Sequence, residues 1–191
     1  MASLLLPLSE GARAATWSVQ APGAPPANTL SEPNLTSIQA ALAKAQPGDI
    51  IELAAGEYFE DIYSVRDATK SQPITIRGSR GSVIRGSGRS SRIIQINHDH
   101  HHLAGFTVDG LVGKPDEKSS YRDKLVYVHG RRPYRGVDGT LIDSLELRNA
   151  GGECLRLRYF VTHSEIRNSR FIGCGIHDFK FPSGGKNGEA I

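Results

Sequence analysis

Two short segments of the chain carry side chains that could act together on a carboxylated substrate. Tyr127 and His129 alternate along the first segment, and Arg156 and Arg158 alternate along the second. Arginine can neutralise a carboxylate and so acidify the neighbouring carbon–hydrogen bond, while tyrosine and histidine can accept or return a proton. Lys180, in a third segment, could add to the positive field. The predicted chemistry is proton removal beside a carboxylate, provided that the fold brings these segments together.

A recurring pattern of short strands indicates how the segments could meet. Each strand has apolar residues at alternate positions, and Gly, Asn or Ser follows most of them. The repeat, just over twenty residues, is shorter than the roughly 30 residues of a β–α–β unit. The sequence therefore predicts an all-β fold, a right-handed parallel β-helix of five or six coils. The predicted strands are PITIRG, SVIRG, RIIQIN, HLAGFTVDG, KLVYVHG, LIDSLELRNA, ECLRLR, SEIRNSRFIGCG and HDFKF.

Overlaying these strands predicts which residues become neighbours, because equivalent positions of successive coils stack about 4.8 Å apart. The two predicted inward rows are Ile94, Val126, Leu155 and Phe179, and Ile96, Val128, Leu157 and Phe181. The outward row between them contains Gln95, Tyr127, Arg156 and Lys180, and the next outward position contains Asn97, His129 and Arg158. In the same overlay Ser144 matches Ser169. Any solvated sheet face displays Arg and Lys as well, so this row has a structural interpretation beside the catalytic one.

The N-terminal part predicts a leader followed by a capping helix. Residues 1–33 form a Pro-, Ala- and Ser-rich extended leader with a weak secretory signal, and the β-helix occupies residues 34–191. Thr36 and Gln39 have capping-box spacing, and the apolar residues that follow predict an amphipathic helix of about three turns that ends at Pro47. This helix is expected to cover the open apolar end of the first coil.

Net charge, histidine spacing and the two cysteines limit which partners and sites the sequence allows. A net charge of +3 is too small to indicate nucleic acid, and no apolar stretch approaches the ~20 residues that span a membrane. Consecutive histidines in residues 97–102 cannot all reach one metal ion, so a polar turn is predicted there. Cys154 and Cys174 are either buried thiols or a bridge between adjacent coils.

The segments TSIQAALAKAQPGDIIELAAGEYFEDI and KSQPITIRGSRGSVIRGSGRSSRIIQINHDHHHLAGFTVDG resemble the pectin-lyase-like β-helix superfamily. The second is similar to the start of chondroitinase-B and alginate-lyase type β-helices. The resemblance implies a polysaccharide lyase that cleaves an acidic, uronate-containing glycan by β-elimination, with Ca²⁺ as a candidate ion. For this reaction the overlaid residues give Arg156, Lys180, Tyr127 and Arg158 as candidate catalytic residues and His129 as a candidate substrate-binding residue, and Lys186 is a second substrate-binding candidate. The resemblance implies Asn187, Glu189 and Glu153 as candidate metal ligands, with a Gly-rich polar turn as the structural alternative.

The same resemblance covers proteins without known catalysis, so a noncatalytic glycan-binding or structural β-helix module stays open. The sequence stops within a strand pattern at Ile191, which predicts the N-terminal portion of a longer β-helix, and an inactive fragment is a further alternative. The expected partner is an acidic polysaccharide rather than nucleic acid or membrane, and the chain is expected to be secreted and monomeric.

Overall fold

The computed structural model describes residues 13–23, 35–131 and 135–181. Short strands dominate this part of the chain, with two α-helices, α1 (Ile38–Lys44) and α2 (Ile176–Phe179), and a 3₁₀ helix at Lys118–Ser120. The strands are β1 (Thr16–Val19), β2 (Ile50–Leu53), β3 (Gly56–Tyr58), β4 (Ile62–Tyr63), β5 (Ile74–Arg77), β6 (Ser82–Ile84), β7 (Arg92–Ile96), β8 (His101–Ala104), β9 (Thr107–Asp109), β10 (Lys124–His129), β11 (Val137–Asp138), β12 (Leu141–Asp143), β13 (Glu146–Arg148), β14 (Glu153–Arg158), β15 (Val161–Thr162), β16 (Glu165–Arg167) and β17 (Arg170–Ile172).

The strands form three long parallel sheets that the chain visits in turn. Sheet A has the order β1-β2-β5-β8-β12-β16, sheet B has β3-β6-β9-β13-β17 in spatial sequence, and sheet C has β4-β7-β10-β14. Strands β11 and β15 add a small parallel pair between sheets C and A. Each complete coil contributes one strand to each of the three sheets, and parallel crossovers of this kind are right-handed in nearly all proteins. The predicted right-handed parallel β-helix is confirmed.

The predicted register of sheet C is confirmed across three coils. Val126 pairs with Ile94 on one side and Leu155 on the other, and Val128 pairs with Ile96 and Leu157 in the same way. Ile94, Ile96, Val126, Val128 and Leu155 are fully buried. The two apolar rows therefore form one wall of the core, and the residues that alternate with them belong to the opposite face of the sheet.

Sharp corners separate sheet A from sheet B within segments that the sequence presents as single strands. Gly105, Ser144 and Asn168 occupy equivalent corner positions, and each has a positive φ. At Gly105 a Cβ would lie 2.4 Å from the carbonyl oxygen of Gly78, so only glycine fits there. Because Ser144 stacks on Asn168, Leu147 pairs with Phe171, 24 residues later. The predicted match of Ser144 with Ser169 is one residue too long.

Helix α1 begins one residue later than the capping-box pattern predicts. Ser37 is the N-cap, and its hydroxyl oxygen accepts a hydrogen bond from the amide of Ala40. Glu60, from the first coil, accepts hydrogen bonds from the amides of Ile38 and Gln39, so a distant carboxylate completes the cap. Ile38, Ala41, Leu42 and Ala45 are fully buried. Strand β1, inside the predicted leader, pairs in parallel with β2.

The predicted strand HDFKF is wrong, because residues Ile176–Phe179 form helix α2 instead. Gly175 precedes the helix in the left-handed conformation, which redirects the chain before it can join sheet C. Phe179 is 76% exposed rather than in the predicted inward row. Lys180 follows the helix and donates a hydrogen bond from Nζ to the carbonyl oxygen of Pro115. It therefore does not pair with Arg156 in the way that the overlay predicts.

Cys154 and Cys174 form a disulfide bond with their Cα atoms 5.4 Å apart. The bond joins β14 to the segment that leads into α2. The sequence left open whether these cysteines are buried thiols or a bridge between adjacent coils, and the structure contains the bridge. It fastens the last described coil to the one before it.

Candidate active site

The outward face of sheet C brings four of the predicted site residues together. Tyr127 pairs with Arg156, and His129 pairs with Arg158, on the neighbouring strands β10 and β14. Two coils that are 29 residues apart in sequence thus present a phenol, an imidazole and two guanidinium groups side by side. The predicted juxtaposition depends on the parallel register alone, which is why it was accessible from the sequence.

Tyr127 is enclosed by charged and aromatic side chains. The guanidinium carbon of Arg92 lies 4.1 Å from the centre of the Tyr127 ring, and the ring centre of His129 lies 4.5 Å away. The side chain is only 3% exposed although it is on the outward face of the sheet. A cation over an aromatic face attracts it through the ring quadrupole. The ring is therefore held in place, and Arg92 covers part of it.

A chain of hydrogen bonds runs along this face and fixes the histidine. Arg92 Nη1 donates to Gln95 Oε1 over 2.6 Å, and Gln95 Nε2 donates to Asn97 Oδ1 over 2.6 Å. Asn97 Nδ2 then lies 2.9 Å from Nε2 of His129 and 2.9 Å from its carbonyl oxygen. Since the amide of Asn97 is a donor, Nε2 of His129 must accept, and Nδ1 donates to the carbonyl oxygen of Gly130 over 3.1 Å.

The electrostatic surroundings keep His129 neutral. Burial lowers the pKa of the imidazole below its ordinary value, and the positive charges of Arg92 and Arg158 lower it further. The hydrogen bond to Gly130 opposes this shift only in part. His129 is thus a neutral ring whose two nitrogen atoms already have partners.

Arg156 and Glu153 are an ion pair at the start of the same face. Arg156 Nη1 contacts Glu153 Oε1, and Lys124 Nζ lies 3.3 Å from Glu153 Oε2. Lys124 also contacts Asp123 Oδ2 at 2.6 Å. Glu153 is nearly buried and both of its carboxylate oxygens face cations. This arrangement does not fit the predicted metal-ligand role, because a calcium ion would have to replace two positive charges.

The remaining predicted site residues are placed differently or lie outside the described part of the chain. Arg158 is exposed, and its guanidinium carbon lies 4.4 Å from the centre of the Tyr159 ring. Lys186, Asn187 and Glu189 lie outside the described residues. Within residues 13–23, 35–131 and 135–181 no three His, Cys, Asp or Glu side chains form a group that could hold a metal ion. Calcium binding stays a prediction.

Arg92 is the member of the cluster that sequence reasoning missed. Its long side chain reaches from the first position of β7 to the ring of Tyr127 on the next strand, and that reach depends on torsion angles rather than on register. The sequence did contain one indication. Arg92 and Lys124 each lie three residues before the predicted outward row, so the overlay places these two cations next to each other near the row.

Comparison with known proteins addresses the fold. No protein-family model and no curated protein matches the chain. Among solved structures, an alginate lyase from Paenibacillus sp. is 26% identical with a TM-score of 0.56, over 72% of this chain and 42% of that one. A pectate lyase, Pel9A, is 17% identical with a TM-score of 0.60, over 81% of this chain and 38% of that one.

A mutant of the PL6-family alginate lyase AlyGC also matches, at 21% identity and a TM-score of 0.54, over 83% of this chain and 20% of that one. The chain has the fold of the parallel β-helix polysaccharide lyases. The resemblance to pectin-lyase-like β-helices is confirmed at this level. The chain spans less than half the length of each lyase that it matches. Among its described residues, no helix is both long and apolar enough to cross a lipid bilayer.

Proposed function

We propose that this lyase-like β-helix binds an acidic, uronate-containing glycan on the outward face of sheet C and cleaves it by β-elimination. The observation that supports the proposal most strongly is the pairing of Tyr127 with Arg156 and of His129 with Arg158. This pairing combines groups that bind a carboxylate with groups that can exchange a proton, on a fold shared with alginate and pectate lyases.

In this proposal Arg156 and Arg158 bind the carboxylate of the uronate unit. Two guanidinium groups stabilise the negative charge that develops on the carboxylate when the C5 proton leaves. Arg158 is exposed and can turn toward a ligand, whereas Arg156 is held by Glu153. We therefore expect Arg156 to provide the fixed contact and Arg158 the adjustable one.

Tyr127 is the group that we assign to the proton transfer. The oxygen of its phenolate form takes the C5 proton, the C5–H electrons form the C4–C5 double bond, and the C4–O bond breaks. The leaving sugar oxygen then takes this proton from the Tyr127 hydroxyl, so that the phenolate is restored and the products are an unsaturated uronate and a free hydroxyl. His129 is less suited, because its Nε2 already accepts a hydrogen bond from Asn97. Its role here is to bind substrate and hold the Tyr127 ring.

Lys180 and Lys186 stay candidates that this scheme does not need. Lys180 would have to leave the carbonyl oxygen of Pro115 to reach the glycan. Calcium is likewise not part of the scheme, because Glu153 is occupied by Arg156 and Lys124. We expect an extracellular, monomeric protein, and the disulfide between Cys154 and Cys174 supports an oxidising compartment.

The proposal is tested by incubating the protein with alginate, pectate and chondroitin and recording the ultraviolet absorbance of unsaturated uronate. We expect absorbance to rise with one of these glycans, and Arg156→Ala to lower the rate at least ~100-fold, as loss of an oxyanion-type contact does. The matched control is Arg170→Ala, since Arg170 lies on sheet B, where it pairs with Glu146.

Arg156→Ala leaves Glu153 with one cation fewer, so folding needs its own control. The double variant Arg156→Ala, Glu153→Gln removes the uncompensated carboxylate and should be equally inactive while melting near the wild-type temperature. Glycan binding without any absorbance change would contradict the lyase proposal and favour a noncatalytic binding module. No binding to any of the three glycans would contradict both.

A further inference from the structure

The outward row that contains the candidate site continues beyond it to an exposed tyrosine. Tyr127 pairs with Gln95, and Gln95 pairs with Tyr63 on β4, the edge strand of sheet C. Tyr63 is 38% exposed, and Phe59, four residues earlier, is 56% exposed. Two large aromatic side chains thus face solvent at the end of the row, where soluble proteins keep few such groups without a partner.

These rings border a concave surface. A pocket of about 640 Å³ is lined by Phe59, Tyr63, Gln39 and Arg89, together with acidic and serine side chains. The guanidinium group of Arg89 forms no ion pair within the described part of the chain. Gln39 is anchored to the backbone of Tyr63 in both directions, because Nε2 donates to the carbonyl oxygen and Oε1 accepts from the amide. The backbone that carries the ring is therefore fixed.

The two carboxylates that line the pocket, Glu60 and Asp61, already accept hydrogen bonds from protein donors. Glu60 accepts hydrogen bonds from Ser37 and from the first amides of helix α1. Asp61 accepts from the amides of Ser87 and Ser90 at 3.1 and 3.2 Å and from the Ser87 hydroxyl. Negative charge that is bound in this way repels an acidic ligand less than a free carboxylate does. The groups left to contact a ligand are the two ring faces and Arg89.

We propose that Phe59, Tyr63 and Arg89 form a distal subsite for the same acidic glycan. The inference rests on the proposed function. Three strand spacings separate Tyr63 from Arg156, or about 14 Å along the sheet. A glycan anchored at Arg156 must therefore extend over several sugar units to reach Tyr63. Aromatic faces stack on the apolar faces of sugar rings, and Arg89 provides a partner for one more carboxylate. The subsite makes binding depend on glycan length.

The test measures affinity for defined oligomers by calorimetry. The probes are a disaccharide and an octasaccharide prepared from whichever of alginate, pectate or chondroitin the wild-type protein binds. Tyr63→Ala and Phe59→Ala should each weaken octasaccharide binding about 3- to 10-fold, in line with the worth of one aromatic contact. Disaccharide affinity should change less than about 2-fold, since the short ligand stays near Arg156.

Two variants serve as matched controls. Tyr63→Phe keeps the ring and should bind the octasaccharide as the wild type does. Val65→Ala shortens a neighbouring side chain, 39% exposed, that does not line the pocket. If Tyr63→Ala and Phe59→Ala lost affinity equally for the disaccharide and the octasaccharide, or lost none for either, the subsite would be overturned and the proposed function would still stand. Failure of the wild type to bind any of the three glycans would instead overturn the proposed function and the subsite with it.

Discussion

The side chains around Tyr127 constrain one another more than is usual on the outward face of a sheet. Arg92 covers one part of the ring, His129 lies beside it, and Asn97 fixes the imidazole that makes this contact. Both nitrogens of His129 have partners, and the pKa of this ring is lowered by burial and by the charges of Arg92 and Arg158. For this reason the proposed function assigns the proton transfer to the Tyr127 hydroxyl rather than to His129.

Tyr127→Phe tests this assignment, because it removes the hydroxyl and keeps the ring between Arg92 and His129. We expect elimination to slow by about 100-fold or more, as is usual on loss of a general acid or base, while glycan affinity changes little. The measurements are the initial rate of absorbance increase and the dissociation constant of the glycan. Tyr63→Phe removes a hydroxyl at the far end of the same row and should keep its rate. A Tyr127→Phe rate within a few-fold of wild type would contradict the assignment.

Residue neighbours were predictable wherever backbone register decides them. Tyr127 and Arg156 face the same way because each alternates with buried apolar residues, and the period of two leaves no other choice. The cover that Arg92 forms could not be predicted, since a long flexible side chain has many torsion angles that fit the same backbone. The contact of Lys124 with Glu153 follows from the same register, because these two residues pair directly. The contact of Arg156 with Glu153 could not be predicted, because it depends on side-chain torsion angles within one strand.

At the scale of elements, strands were predictable and their corners were not. A single left-handed residue such as Ser144 or Asn168 turns the chain without interrupting the apolar alternation, so two strands resemble one in sequence. Helix α2 escaped prediction because four residues are too few for a helical period. The cap of α1 includes Glu60, which approaches from another coil and has no local signature.

The bridge between Cys154 and Cys174 contributes stability that can be measured separately from activity. It closes a loop with a sequence separation of 20 residues, and such crosslinks typically stabilise by about 2–4 kcal/mol. We expect Cys174→Ala, which leaves the buried Cys154 in place, to lower the unfolding free energy by that amount in urea titrations. Dithiothreitol should destabilise the wild type to the same level and leave the variant unchanged. Equal stability of the oxidised wild type and the variant would contradict this expectation.

At the scale of the whole molecule, the core contains a histidine that the sequence assigned to a polar turn. Residues His101–Ala104 form β8, and His101 is fully buried. Its Nε2 donates to the carbonyl oxygen of Arg66 over 2.9 Å, while its buried Nδ1 has no hydrogen-bond partner among the described residues. The turn prediction fails at His101, because this residue belongs to β8 and alternates with Leu103 as an inward residue. The pattern His-His-Leu-Ala does not indicate which histidine faces the core.

Burial lowers the pKa of His101 to about 4, and this shift links the stability of the β-helix to pH. The pKa of a histidine in the unfolded chain is about 6.5, so between these values the unfolded state binds more protons than the folded one. Stability is therefore present above about pH 6.5 and is lost as the pH falls toward 4. The lowered carboxylate pKa values of Asp49 and Asp67 act below that window, because they lie under 3.8.

The expected slope is about 1.4 kcal/mol per pH unit for one proton, and the lowered pKa values of His98, His102 and His129 add to it. His101→Leu removes the largest of these contributions. Unfolding free energies from urea titrations between pH 7 and about 4.5 should therefore fall less steeply for the variant than for the wild type. The variant also loses the hydrogen bond to Arg66, which lowers its stability equally at each pH. The difference between the two slopes of unfolding free energy against pH therefore reports the proton alone. Parallel curves for the two proteins would show that His101 is not protonated on unfolding.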